Sequence, residues 1–325
     1  MSVDENALLI FDKPTAIFMP GQIITGRVVY LSRNPLKISR VTIKFKGKCK
    51  ISFTKLDNRY IGKQLYLKNE IALSCDKGES QVGKYVYPFN FRLPSFIPST
   101  FVCKYGYIRY IAKVKICRPW KSDEITQSMF IVVSPINLNY VPLLSEPKCA
   151  LKEKSYSLCC FLSGSMKLQA NIPYSGFVPG QTIPVTVKLN NNSNVNVDYV
   201  IIRLERKWKI SAQCKTTRKS DIVHKVINGT DRHTSKTRTV QIHIPNSLMV
   251  LDFKYCKVIT ETFTLHVEAR VQALAGLKVA FNVMLGNVPL ITASDPHQDN
   301  QAFQLTIQKY CSYKSVPTYS FPFVD

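Results

Sequence analysis

The chain has 325 residues, 45% hydrophobic and 20% charged, the balance of a folded globular protein rather than a disordered one. Its formal net charge of +23, from 44 Lys/Arg against 21 Asp/Glu, favours phosphate-rich partners: anionic lipid, nucleic acid, or phosphorylated and acidic peptide. No apolar run approaches the ~20 residues of a spanning helix, and the acidic start Met1-Ser-Val-Asp4-Glu5-Asn6 lacks the basic region of a secretory signal.

In chain order, the first strong signal is a turn. Phe18-Met-Pro20-Gly21-Gln22-Ile-Ile24 leads into the extended run Thr25–Tyr30, and Pro-Gly supplies the fixed φ and then the positive φ of a type II turn. From Val41 to Phe53 every odd position is apolar or small, with Thr42, Lys44, Lys46, Lys48, Lys50 and Ser52 between. That alternation is a half-buried strand whose outer face carries four lysines about 6–7 Å apart. Ile108–Cys117 repeats the design, with Tyr110, Ala112, Val114 and Ile116 on one face and Arg109, Lys113 and Lys115 on the other. Pro135, Pro142 and Pro147 mark a connecting segment.

The turn phrase then returns, 159 residues after its first occurrence, as Phe177-Val-Pro179-Gly180-Gln181-Thr-Ile183, again before an extended run. A repeat at domain spacing implies a duplicated β-domain. Val200, Ile202, Leu204, Arg206, Trp208 and Ile210 alternate with Arg203, Lys207 and Lys209 as another long strand. Period two dominates throughout, so the fold class is all-β: two immunoglobulin-type β-sandwiches in tandem. The divisions read from the sequence are 1–140, a connection at 141–155, 156–292, and a tail at 293–325.

Ten cysteines without C-x-x-C spacing read as reduced thiols in a cytosolic chain, and the five histidines never stand at ligand spacing with them. No metal, cofactor or catalytic motif is expected: Gly-x-Ser-x-Gly, His-Glu-x-x-His and a phosphate loop do not occur. The chemistry that stands out is therefore a binding surface. Lys44, Lys46, Lys48 and Lys50 with Arg109, Lys113 and Lys115 form a candidate anionic docking face; the alternative is an ordinary lysine-rich solvated strand face. Nucleic acid is disfavoured because aromatics alternate with the core side rather than the lysine side, leaving no stacking platform.

A series of short phrases also resembles the arrestin fold, and within it the arrestin domain-containing proteins, or α-arrestins. They include Phe18-x-Pro20-Gly21-Gln22, Ile43-Lys-Phe45-Lys-Gly47, Tyr87-Pro-Phe89-Asn-Phe91-Arg-Leu93-Pro94, Gly106-Tyr-Ile108-Arg-Tyr110, Arg118-Pro-Trp120 and Asn137-Leu-Asn139. Cys159-Cys160, Gly176-Phe-Val-Pro179-Gly180-Gln181, Asn191-Asn-Ser193 and Gly286-Asn-Val-Pro289-Leu290 continue the series in family order, from about residue 8 to 290. The resemblance implies a non-enzymatic cytosolic adaptor that engages membrane-protein cargo, is recruited to plasma membrane or endosomes, and steers endocytosis and sorting. A structural subunit of an endosomal, retromer-like coat is the alternative on the same fold.

The resemblance also implies partners. Many α-arrestins recruit HECT-type ubiquitin ligases through Pro-Pro-x-Tyr motifs in a long tail. This chain has no Pro-Pro dipeptide; Val316-Pro317-Thr318-Tyr319 keeps only Pro317 and Tyr319, so WW-domain binding is expected to be weak or absent. Phosphate sensing in visual and β-arrestins uses bases on the first strand; here Lys13 fits one of the two positions and Asp12 places an acid at the other. Cys159-Cys160 reads either as an S-acylation site or as a packed thiol pair.

Overall fold

The computed structural model describes residues 7–32, 36–74, 79–80, 82–120, 122–158, 161–271 and 274–291. The N-terminal half contains β1 (Ala7–Phe11), β2 (Ile17–Phe18), β3 (Ile23–Ser32), β4 (Leu36–Lys37), β5 (Arg40–Lys55) and β6 (Asn58–Ser74). It continues with β7 (Glu79–Ser80), β8 (Gly83–Arg92), β9 (Phe101–Cys103), β10 (Gly106–Cys117) and β11 (Glu124–Val132). Strands β1-β3-β8 form one sheet; β2-β11-β10-β5-β6, with β9 on β10, form the other; β4 and β7 pair separately. Two 3-10 turns, Leu138–Tyr140 and Pro142–Ser145, connect the halves.

The C-terminal half contains β12 (Lys148–Leu158), β13 (Phe161–Ile172), β14 (Gly176–Phe177), β15 (Thr182–Asn191), β16 (Val197–Ser211), β17 (Lys215–Thr230), β18 (Thr234–His243), β19 (Ile259–Val271) and β20 (Leu274–Leu285). Its sheets run β12-β13-β15-β18 and β14-β20-β19-β16-β17. The order of the longer sheet reproduces β2-β11-β10-β5-β6, down to the short parallel pairings β2 with β11 and β14 with β20. The expected tandem of β-sandwiches is what forms. Strand β12 begins at Lys148 and pairs with β13, so residues 148–155, read from the sequence as connection, belong to a sheet.

The repeated turns occupy equivalent places. The N–H of Gln22 donates to Met19 O at 3.1 Å with Gly21 at φ +80°; the N–H of Gln181 donates to Val178 O at 3.1 Å with Gly180 at φ +95°. The repeated glutamine has a shared job: Gln22 Oε1 accepts from the Met19 N–H at 2.8 Å and Gln181 Oε1 from the Val178 N–H at 3.0 Å. Each Gln carbonyl then accepts from the end of the facing strand, Leu93 N at 2.8 Å and Ile244 N at 2.9 Å. One phrase thus closes a turn and ties it to the sheet, in both domains.

A seam joins the sandwiches. The segment between β18 and β19 contributes Leu251, Phe253, Cys256 and Val258 to the N-terminal core. Phe101 meets Trp208 at 5.3 Å and Phe253 at 5.1 Å, both edge-on, a geometry worth about 0.5–1.5 kcal/mol per pair beyond area burial. Gln64 clips the backbone of the same segment, donating to Tyr255 O at 3.0 Å and accepting from Lys257 N at 2.7 Å. At the other end of the C-terminal domain, the Ile136 N–H donates to Asn287 Oδ1, Asn139 Nδ2 donates to Pro289 O, and the Ile291 N–H donates to Asn139 Oδ1. The phrases Asn137-Leu-Asn139 and Gly286-Asn-Val-Pro289 are therefore two sides of one hydrogen-bonded junction.

The two turn glycines differ in a testable way. Alanine at either forces a left-handed residue with a Cβ, at about 1–2 kcal/mol. At position 180 the Cβ would also lie 2.3 Å from Asn246 Oδ1, whereas at position 21 the nearest atom is Ser95 Oγ at 3.4 Å. Urea denaturation should show Gly180→Ala losing more stability than Gly21→Ala; equal losses would contradict the contact.

Candidate functional site

The antiparallel register of β10 on β5 sets Arg109 opposite Lys48 and Lys113 opposite Lys44. Directly opposed residues share a face, so the two lysine-bearing patterns of the sequence merge on the outer side of the longer N-terminal sheet. Strand β6 adds cations that sequence alternation did not reveal: Lys68 lies opposite Lys46 and Lys63 opposite Lys50. Lys63 and Lys68 have opposite parity along the chain. The register shift beside Gly47 and Lys48, which passes over Tyr66, brings both to one face.

Charge on this face is unevenly compensated. Lys44 pairs with Glu70 at 3.1 Å and Lys115 with Asp123 at 2.8 Å. Among the described residues Lys46, Lys48, Lys50, Lys63, Lys68, Arg109 and Lys113 make no ion pair, and Arg109 lies over the ring of Tyr107 at 4.3 Å. Tyr107, opposite Lys50, is thus an aromatic on the lysine side, which the alternation argument had assigned to the core side alone. The Lys46 ammonium is held below its ordinary range by partial burial and then by the repulsion of Lys48, Lys44, Lys68 and Lys113. Lys13 stands apart in the turn after β1, its ammonium 5.7 Å from the Phe18 ring centroid, while Asp12 pairs with Arg27 at 3.6 Å. Pro317, Tyr319 and the pair Cys159-Cys160 lie outside the described residues.

The equivalent face of the C-terminal domain is compensated in part by its own acids. Arg203, Glu205, Lys207 and Lys209 of β16 lie opposite His266, Thr264, Thr262 and Thr260 of β19. Glu205 is met by Lys219 at 3.1 Å and His266 at 3.8 Å, and Glu268 by Arg270 at 2.9 Å and Arg203 at 4.0 Å. Burial pushes the His266 imidazole down, helped by Lys278, Arg203 and Lys219 and opposed by Glu205. Duplication has produced two similar sheets with different electrostatics.

Thiols meet at the seam. Cys256 Sγ accepts from Tyr66 O–H at 3.0 Å and from the Ile259 N–H at 3.3 Å. The Cys256 thiol is lowered chiefly by its hydrogen bond with Cys49, then by Tyr66 and the Ile259 and Val258 N–H groups, against the opposing effect of burial. The same hydrogen bond, then burial, raises Cys49. No His/Cys/Asp/Glu group among the described residues could hold a metal ion. No helix there is long and apolar enough to cross a membrane.

A family profile described as Arrestin (or S-antigen), N-terminal domain, matches residues 7–139, and its C-terminal-domain counterpart matches residues 162–290. The chain belongs to the α-arrestin family. Arrestin domain-containing protein 17 of Caenorhabditis elegans is 24% identical over 308 residues, covering 87% of this chain and 71% of that protein. Arrestin domain-containing protein 4 of Homo sapiens is 24% identical over 311 residues, covering 88% and 72%. Arrestin domain-containing protein 1 of Rattus norvegicus is 27% identical over 198 residues, covering 61% of this chain and 45% of its own, so this α-arrestin spans under half the length of that relative.

The seam thiol yields a signed pH effect. A group whose folded pKa is depressed adds stability that is complete above its ordinary value, here 9.0, and is lost as the pH falls below that value and through the lowered one. Cys256→Ala should cost about 1–3 kcal/mol by removing the acceptor of the Ile259 N–H and the nearer of the two acceptors of Tyr66 O–H, which keeps Gln64 Oε1 at 3.3 Å. In urea titrations across that window, the gap between parent and variant should shrink as the medium becomes more acidic. A gap that widens toward acid would contradict the assignment.

Proposed function

We propose that this α-arrestin is a non-catalytic adaptor that engages membrane-protein cargo and directs its endocytosis or sorting from the cytoplasmic side of plasma membrane or endosomes. The observation that carries this reading is the cation-rich, acid-poor outer face of the N-terminal sheet, on a body whose two domains both match arrestin profiles. The seam supports it, because a partner held by one domain is positioned relative to the other. Affinity purification of the intact protein from membranes should recover an integral membrane protein in substoichiometric amounts. Recovery instead as a fixed-stoichiometry cytosolic complex would point to a coat subunit.

Ubiquitination-linked trafficking would require a HECT-type ligase reached through Pro317 and Tyr319. A WW groove reads proline rings together with the tyrosine, and this motif offers one ring fewer than Pro-Pro-x-Tyr. Titration of a peptide spanning Val316–Tyr319 into WW domains should show weak or no binding, tightened by Val316→Pro and abolished by Tyr319→Ala. Tight binding by the parent peptide would contradict this and restore a ligase-recruiting role.

A further inference from the structure

The outer face of the N-terminal sheet carries exposed apolar side chains among its cations. Leu65 of β6 lies opposite Lys48 and is 56% exposed. On the other flank Met129 and Ile125 of β11 lie opposite Ile111 and Lys115, 47% and 52% exposed. The cations of β5 and β10 occupy the middle; Met129 and Ile125 border them on β11, and Leu65 stands between Lys63 and Lys68 on β6. At about 3.3 Å per residue and 4.8 Å per strand, the patch from Lys44 to Lys50 across four strands measures roughly 20 by 15 Å.

We propose that this face docks flat on an anionic lipid bilayer, the cations meeting lipid phosphates and carboxylates while Leu65, Met129 and Ile125 enter the headgroup region. The inference rests on the adaptor reading and names the surface that such an adaptor would use.

Three features favour a bilayer over an extended phosphorylated segment. The cations spread across three strands, β5, β6 and β10, instead of following one groove, and a wide lattice of like charge suits a planar anionic surface. An open cleft of about 480 Å³, lined by Tyr66–Asn69 and Phe91–Ser95, lies where β6 faces the end of β8 and takes in Lys68 alone of the cations of the face. The bordering apolar groups have no use for a phosphopeptide but gain from shallow burial among lipid headgroups, as in other interfacial surfaces that combine apolar area with attraction to anionic lipid. Each base held near an anionic surface is worth about fivefold in affinity, within a Debye length of about 10 Å at 0.1 M salt. The crowding that burdens Lys46 is relieved when anions approach, so the repulsion inside the free patch favours binding.

The test is co-sedimentation of the full chain with phosphatidylcholine vesicles, with or without phosphatidylserine, over a series of salt concentrations. One variant combines Lys46→Glu, Lys48→Glu, Lys50→Glu and Lys68→Glu. A second makes the same charge change at exposed lysines elsewhere: Lys188→Glu, Lys209→Glu, Lys225→Glu and Lys257→Glu. A third carries Leu65→Ser and Met129→Ser. Lys46→Gln with Lys68→Gln serves if the quadruple reversal at the face does not melt like the parent.

The parent should bind only the vesicles containing phosphatidylserine, and binding should fall steeply with salt. The face variant should bind at least several hundredfold more weakly, at about fivefold for each of the four bases lost, the charge-matched control far less so. The apolar variant should lose the part of binding that survives at high salt. Equal binding by the face variant and its control, or no binding by the parent, would overturn the proposal. If the face variant instead loses phosphorylated-peptide binding while vesicle binding is unchanged, the face belongs to phosphorylated cargo: the lipid inference falls and the adaptor reading stands. Failure of the adaptor reading would show separately, as a purification from membranes that yields no cargo protein.

Discussion

The pairing of Gly47 with Tyr110 is the constraint on which the character of the N-terminal domain depends. A Cβ at position 47 would sit 2.5 Å from the Tyr110 ring, so glycine leaves the space in which that ring lies against its neighbouring strand. The buried Tyr110 hydroxyl donates to Pro98 O at 2.7 Å, which anchors the strand end-on as well. With the register pinned there, Ile43, Phe45, Cys49 and Ile51 point inward and Lys44, Lys46, Lys48 and Lys50 point outward. A one-residue slip would send those lysines into a core that includes the stacked pair Phe45 and Phe91 at 4.3 Å. Core packing and surface charge are thus one decision.

The seam makes the N-terminal sandwich dependent on the other. Phe253, Cys256 and Val258 belong by chain position to the C-terminal domain and by burial to the N-terminal core, so the N-terminal domain does not complete its packing alone. Polar contacts fix the orientation that the apolar ones stabilise: Ser134 Oγ donates to Asp252 Oδ2 at 2.8 Å and the Ser99 N–H to Asp252 O at 3.2 Å. Within that framework the duplicated sheets have diverged electrostatically. The C-terminal face places Glu205 and Glu268 among its bases, whereas the N-terminal face leaves most of its bases without acids. Repulsion of this kind weakens folding slightly, and an approaching anion relieves it.

Much of this was legible from residue order. Strict alternation over Val41–Phe53 and Ile108–Cys117 has one physical solution, a half-buried strand, and β5 and β10 extend only a few residues beyond those limits. The repeated Pro-Gly-Gln announced the duplication because its chemistry is local: a turn, a positive φ, and a side chain reaching back three residues. What stayed hidden was non-local. Lys63 and Lys68 joined the cationic face only through a register shift, and no single-strand pattern encodes which residue a neighbouring strand skips. The seam was equally silent, since Phe253 and Cys256 read as scattered apolar residues in a loop until the facing N-terminal strands are placed beside them. Asn137, Asn139 and Asn287 were visible as parts of family phrases, but their mutual hydrogen bonds needed the fold.

On the proposed docking, the outer face of the long N-terminal sheet is the side turned toward a membrane. Fluorophores placed singly at Leu65, on that face, and at Leu8, on the opposite sheet and 57% exposed, test it directly when the protein meets vesicles of anionic lipid carrying bromine in their acyl chains. Bromine quenches only at close range. Docking through this face should give strong quenching of the probe at position 65 and little at position 8. Quenching at position 8 with none at position 65 would contradict it.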